Sequence, residues 1–395
     1  MRRMSKKIIL AISFFVLAST LFTQQEFHDV SVINIEVPVR VFKGDTFVDN
    51  LTIDDFEVYE DGVPQKIEAV YLVKKTSIKR EEGKKKFVPG VTRHFVLFFE
   101  ITEYLPEIEG AVEYFFNQVI MPGDSLIVVT PLKTYNLKSQ SLELKPKDEV
   151  VKQLIEIVRR DAIIGGAEYK NAIQELEESL LGAQDLDERL QIYSYYLKKL
   201  ESLRSVDEKK LLEFSDYLKE KEGQKCVFLF YQKEVIPQIS TSTLSEWSSL
   251  NQDRQDVLQN ISDLFQYFRR DISFNVDLVK KAYSSSSISI HFLYLTKTQP
   301  GLSITSMRSS GMRMQEQSED IFSAFREMAQ ATGGLSDSSA DASSAFQRAA
   351  DAAENYYLLY YEPQNYKKDG KFREIKVKLK NKNYRIIHRA GYYAE

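Results

Sequence analysis

The chain has 395 residues, 43% hydrophobic and 28% charged, with a formal charge of −4. That is apolar material for a sizeable core and room for two or three domains, and it excludes a disordered chain. Without the four basic residues of MRRMSKK the formal charge falls to −8, and a mildly acidic chain argues against nucleic acid as a partner.

The N-terminus reads as a secretory signal peptide, residues 1–23. MRRMSKK is the basic n-region and IILAISFFVLASTLF, 15 residues without a charge, is the apolar h-region. The run is short for a membrane span, which needs roughly 20 residues. Cleavage is expected near Ala18–Gln24, and an uncleaved anchor is the alternative. The chain is therefore expected to be exported, to the periplasm, the cell surface or the outside, with no membrane insertion beyond this segment. The only cysteine, Cys226, leaves no intramolecular disulfide, and within CVFLFY it reads as a buried, inert thiol.

Residues 30–73 read as an N-terminal β module. VINIEVPVRV places Ile33, Ile35, Val37, Val39 and Val41 at period two, with Pro38 marking an edge or bulge. Asp61-Gly62 signals a hairpin turn. Residues 74–92 are charged and read as a linker. From residue 93 to 362 strands and helices alternate. HFVLFFEI, SLIVVTPL, CVFLFY and SISIHFLYL are strand-like. EIEGAVEYFFNQVI, KDEVVKQLIEIVRRD, QDVLQNISDLFQYFRR and EDIFSAFREMAQATGG are helix-like. This pattern predicts an α/β domain, doubly wound around a mainly parallel sheet. A helical hairpin is inserted at about 180–222, where Leu186, Leu190, Tyr193, Leu197 and Leu200 form one stripe and Ser205–Glu208 has the form of a capping box. Residues 298–318 read as a loop, in which Met307, Met312 and Met314 offer an adaptable contact surface. The C-terminal segment, 363–395, returns to β structure and is expected to pack with residues 30–73 in a small β-sandwich-like module.

Chemistry-bearing motifs are scarce. There is no H-E-x-x-H, G-x-S-x-G, Walker loop or G-x-G-x-x-G after a strand. His28, His94, His291 and His388 are scattered, and a structural role is the default for His94 and His291 beside apolar strands. The acidic group DDFEVYED (54–61) lacks the ligand spacing of a calcium loop and reads as a solvated strand face.

Three segments carry a resemblance: LTIDDFEVYEDGVPQKI (51–67), MAQATGG (328–334), and NYYLLYYEPQNYKKDGKFREIKVKL (355–379) followed by HRAGYYA (388–394). In that order they resemble the secreted bacterial von Willebrand factor type A-related proteins of the acidobacterial type. The resemblance implies a von Willebrand A-like, Rossmann-type domain whose cation site, where functional, draws on three loops at the carboxyl ends of the strands. A hard cation takes carboxylate and hydroxyl oxygens there, leaving a position for a partner's carboxylate. This sequence departs at each loop. Glu100, Thr102 and Tyr104 stand where the family has Asp, Ser and Ser. Ala167 follows Gly165-Gly166 where the family has Thr. Gln232, followed by Lys233, stands where the family has Asp. The expectation is a degenerate site with no metal and no cofactor. The protein is then a non-enzymatic interaction or scaffold protein with an unknown protein partner, which Tyr104, Tyr169 and Tyr231 are candidates to contact or else serve to plug the vacated site. The competing expectations are a metal-dependent adhesion protein with a non-standard site and a hydrolase with an unrecognised site. Sequence assigns no oligomeric state.

Overall fold

The computed structural model describes residues 33–83, 90–137, 145–203, 206–232, 235–266, 274–295, 312–316, 319–338, 341–380 and 383–395. The signal-peptide reading, Ser205, Lys233 and Met307 lie outside them. Residues 34–395 form one compact unit.

The strands with the densest apolar runs make one six-stranded sheet. It contains β7 (Arg93–Glu100), β8 (Ser125–Val129), β9 (Thr134–Leu137), β10 (Gln224–Gln232), β12 (Ile288–Leu295) and β14 (Ser336–Asp337), in the order β14-β12-β10-β7-β8-β9. All pairings are parallel except β8 with β9. Every residue of β10 and β12 is buried, as expected of strands covered on both faces. Phe95, Leu97, Phe99, Phe228 and Phe230 pack one face against α1 (Glu107–Tyr114), α2 (Lys147–Gly165) and α10 (Ala342–Glu354). Phe346 of α10 sits 4.8 Å from the Phe228 ring and 5.7 Å from Phe230. Val227, Leu229, Tyr231, Ile290 and Phe292 pack the other face against α5 (Glu208–Lys219), α8 (Val276–Ser285) and α9 (Glu319–Ala331). Burying one such Phe or Leu stabilises by roughly 1.5–3 kcal/mol.

The rest of the β structure is antiparallel. The two chain ends interleave in a second six-stranded sheet, ordered β17-β1-β15-β5-β6, with the short β2 (Thr46–Phe47) on β1. Here β1 is Ile35–Lys43, β5 Ile67–Lys74, β6 Ser77–Gly83, β15 Asn355–Tyr361 and β17 Arg385–His388. A third sheet, β18-β16-β3-β4, joins β3 (Phe56–Glu60) and β4 (Val63–Gln65) to β16 (Phe372–Leu379) and β18 (Gly391–Tyr393). The turn between β3 and β4 runs through Asp61 and Gly62, at φ 47° and 81°, the positive pair that a two-residue hairpin requires. The fourth sheet pairs β11 (Val235–Ile239) with β13 (Met312–Glu316), inside the stretch expected to be a loop. Glu60 ties the antiparallel sheets together, accepting hydrogen bonds from Tyr361 Oη at 2.6 Å and Tyr392 Oη at 3.0 Å.

These findings correct the expected fold class. The molecule is mixed α/β with mostly antiparallel sheets, not a doubly wound, mainly parallel Rossmann-type fold with a small sandwich-like appendage. Among the described residues one of four sheets is mainly parallel, and an antiparallel sheet has the same number of strands. The physical reason is that the longest apolar runs belong to the parallel sheet and dominate the pattern, whereas the antiparallel strands draw on partners from the far end of the chain. Within the expected linker, Ser77–Gly83 is strand β6. Pro38 is not on an edge strand, since β1 has neighbours on both sides. On one side, however, β17 pairs only with Val39–Phe42, so Pro38 lies just past the end of that ladder.

The remaining helices form a separate layer. α3 (Ala167–Gly182), α4 (Leu186–Ser202), α6 (Thr241–Leu250) and α7 (Gln255–Gln266) share one apolar cluster, in which the α4 stripe of Leu190, Tyr193, Leu197 and Leu200 is buried. α5 is capped by Asp207, whose side chain accepts from Lys210 N, so the helix begins inside the segment expected to be its capping box.

Candidate functional site

The parallel strands β7 and β10 end side by side, Glu100 opposite Tyr231, and deliver two loops to one pole. Gln232 closes them together. Its Oε1 accepts from Thr102 N at 2.9 Å, Thr102 Oγ1 at 3.2 Å and Glu103 N at 2.9 Å. The third loop reaches the same place through a close backbone approach. A Cβ on Gly166 would stand 2.1 Å from Thr102 O, so only glycine lets the α2–α3 junction press against the β7 loop. The structure thus brings Thr102, Gly165-Gly166-Ala167 and Gln232 together, with Glu100 exposed at the rim.

The residues present do not fit a divalent cation. The amide oxygen that faces the loop already takes three hydrogen bonds, which uses its acceptor capacity. Ala167 offers no side-chain oxygen. Glu103 lies 3.7 Å from Lys170 Nζ, an ammonium that disfavours a cation beside it. Among the described residues no group of three or more His, Cys, Asp or Glu is placed to hold a metal ion.

The three tyrosines have different situations. Tyr104 is half-buried, donates to Glu109 Oε1 at 3.0 Å, and lies under the Arg159 guanidinium, 4.8 Å from its ring centre. Arg159 in turn holds Glu109 at 2.8 Å. Burial, with the neighbouring Glu109 carboxylate, pushes the Tyr104 phenol well above its usual range, so it stays a neutral donor. Tyr231 is only 2% exposed and packs among Tyr294, Phe292 and Phe325, which makes it a core residue and not a contact on the surface of the pole. Tyr169 is half-buried against the α3–α4 cluster.

Two buried polar constellations were not singled out by sequence pattern. Arg93 and Asp124 form a buried pair, with Arg93 Nε donating to Asp124 Oδ1 at 3.0 Å and Nη2 to Asp124 Oδ2 at 2.5 Å. Asp161, fully buried on α2, accepts from Thr130 Oγ1 at 2.8 Å and Tyr135 Oη at 2.6 Å, and so fastens α2 to the β8–β9 hairpin beside the pole. The only sequence signal for either was a charged residue at the border of an apolar run. His94, at the opposite end of the sheet, bridges Ser125 Oγ (2.6 Å) and Glu222 O (2.9 Å), a bonded structural histidine.

No family model and no curated protein matches this chain. Among solved structures the chain is similar to the human COPII-coat protein Sec24c, with 8% identity and a TM-score of 0.29. That match covers 79% of this chain and 44% of the other, so the chain spans less than half of that protein's length. Among the described residues no helix is long and apolar enough to cross a membrane.

Proposed function

We propose that this is an exported, non-enzymatic protein–protein interaction or scaffold protein, related to the von Willebrand factor A-related proteins through its three segment motifs, and that its contact surface is the pole built by the β7 and β10 loops. The single observation that carries the reading is the Gln232 clasp. A neutral amide holds the loops in one arrangement, so the surface is formed without a cation and is preorganised for a partner. The β7 loop presents Thr102, Glu103 and Tyr104, a mixture of donors, a charge and an aromatic ring that suits a polar, protein-type contact. Export rests on the basic and apolar N-terminal run.

The test is cross-linking capture from the native envelope, comparing wild type with Thr102→Lys/Glu103→Arg, which changes two half-buried side chains of the loop and removes the Thr102 hydroxyl from the clasp while the two backbone N–H donors to Gln232 remain. The expected result is a defined set of proteins captured equally with and without EDTA and lost in the double variant. Capture that is abolished by EDTA, or unchanged by the double variant, refutes the reading.

A further inference from the structure

Three arginines are buried among the described residues: Arg40 on β1, Arg93 on β7 and Arg389 just after β17. A guanidinium keeps its charge at any ordinary pH, and a buried charge without a counter-charge is strongly unfavourable. Two of the three are answered. Arg93 sets Nε and Nη2 on the two oxygens of Asp124. Arg389 donates to Glu36 O, to Ser287 Oγ and to the carbonyls of Ser284 and Ser285, and the Glu36 carboxylate acts on its charge. Arg40 is the exception. It is 1% exposed and makes one hydrogen bond, from Nη1 to Gly333 O at 2.7 Å. Among the described residues its Nε and Nη2 have no hydrogen-bond partner. The acidic groups that act on it are the Cys226 thiol and the Tyr356 phenol, and burial keeps both neutral by raising their pKa values.

Nε–H and one N–H of Nη2 run parallel along one edge of a guanidinium, a fork that takes a single anion. Arg93 shows that edge filled by its own carboxylate. Around the Arg40 edge the neighbours are neutral and come from both six-stranded sheets. The Tyr356 ring of β15 is centred 6.0 Å from the guanidinium carbon. Cys226 and Phe228 of β10 face the same apolar cluster, and His291 of β12 stands opposite Phe228, stacked on its ring. The Arg40 charge reaches both the Cys226 thiol and the His291 imidazole. Neither nitrogen of His291 has a partner among the described residues, so the neutral ring has a spare N–H to offer. The nearby charges otherwise cancel. Asp124 balances Arg93, and Lys75 lies 3.5 Å from Glu354 at the end of α10. One positive charge is left, on Arg40. A buried water would satisfy its donors but not its charge.

We propose that the Arg40 fork, with His291, Cys226 and Tyr356 around it, holds one compact monovalent anion of the halide class as a fixed part of the folded core. A single charge matches the single unanswered guanidinium, whereas a divalent phosphate or sulfate would leave an excess negative charge in the interior. Arg40, Cys226, Phe228, His291 and Tyr356 are each 3% exposed or less, which leaves no path for a bulky organic anion. The site exists only in the folded chain, because it joins β1 and β15 from the two chain ends to β10 and β12 of the parallel sheet.

Thermal unfolding in sodium chloride or bromide, against sodium gluconate at equal ionic strength, reads this directly. Halide binding to the folded state alone should raise the wild-type melting temperature progressively with halide concentration. Arg40→Met removes the charge and keeps an apolar chain, and should lose that rise. General salt effects act on both proteins, so the difference between their responses is the measurement. A wild-type crystal grown in sodium bromide gives a second reading that does not depend on the variant folding. The expected result is an anomalous bromide peak within hydrogen-bonding distance of Arg40 Nε and Nη2. The proposal is overturned if wild type and Arg40→Met respond alike to halide, or if bromide lies only at the surface, an adventitious ion only, with the Arg40 fork free of it.

Discussion

At the scale of single residues, the burial of one histidine makes its contribution to stability depend on pH. His291 is fully buried on β12, stacked 5.0 Å from the Phe228 ring, and neither ring nitrogen has a hydrogen-bond partner among the described residues. Arg40, also buried, donates from Nη1 to Gly333 O at 2.7 Å, while its Nε and Nη2 are likewise unpartnered. Burial, reinforced by the Arg40 charge, lowers the His291 pKa to about 3. The folded value therefore lies below the unfolded one, and between the two the unfolded chain binds a proton that the folded chain refuses. Stability from this residue is complete above about pH 6.5 and is lost as pH falls toward 3, reaching a loss of about 2 kcal/mol near pH 5. His291→Leu should remove that slope and melt at the same temperature or higher at pH 5, measured as the difference from wild type across pH 4–7. Identical pH slopes in the two proteins would show that His291 is not the group responsible. Cys226 is consistent with an inert thiol: it is buried, and burial raises its pKa.

At the scale of elements, the pole depends on how closely α2 approaches the β7 loop. Gly166→Ala would place a methyl group 2.1 Å from Thr102 O, an atom of the backbone that cannot rotate away. The expected cost is about 1–3 kcal/mol in urea unfolding, with weakened partner capture. Wild-type stability in that variant would mean that the three loops do not meet as described. Much of this level was legible in sequence. β7, β8 and β10 carry uninterrupted apolar runs, β12 is an apolar run broken by Ser289 and His291, and the stripe of α4 marks its buried face by spacing alone. The loops that carry Thr102, Gly166 and Gln232 were also visible as a set. Their clasp was not, because a glutamine in a sequence does not reveal which donors its oxygen will meet. β6 was missed because SIKREEG is mostly exposed on both faces and carries charges in place of apolar alternation.

At the scale of the molecule, the two ends of the chain are structurally inseparable from each other. β1 lies between β15 and β17, and β3 pairs with β16, so neither terminal segment completes a sheet alone. Arg389 adds a side-chain link, donating to Glu36 O at 2.6 Å and Ser287 Oγ at 2.7 Å. Such pairings join residues hundreds of positions apart; short β segments at both ends pointed to the packing of 363–395 with 30–73, but local patterning does not set the register or extent of the sheets they build, which is why sequence overstated the parallel sheet and understated the antiparallel ones.

The central claim, that the loop pole is set by Gln232 and takes no cation, is a property of the whole folded molecule and is read most directly by thermal unfolding in excess EDTA against unfolding in millimolar Mg²⁺ or Ca²⁺. A site bound at 100 times its Kd would add about 2.7 kcal/mol, well within the range of the assay. The account predicts one melting temperature in all three conditions, for wild type and for Glu100→Ala alike. A rise with Mg²⁺ or Ca²⁺ in wild type that is absent in Glu100→Ala would contradict it.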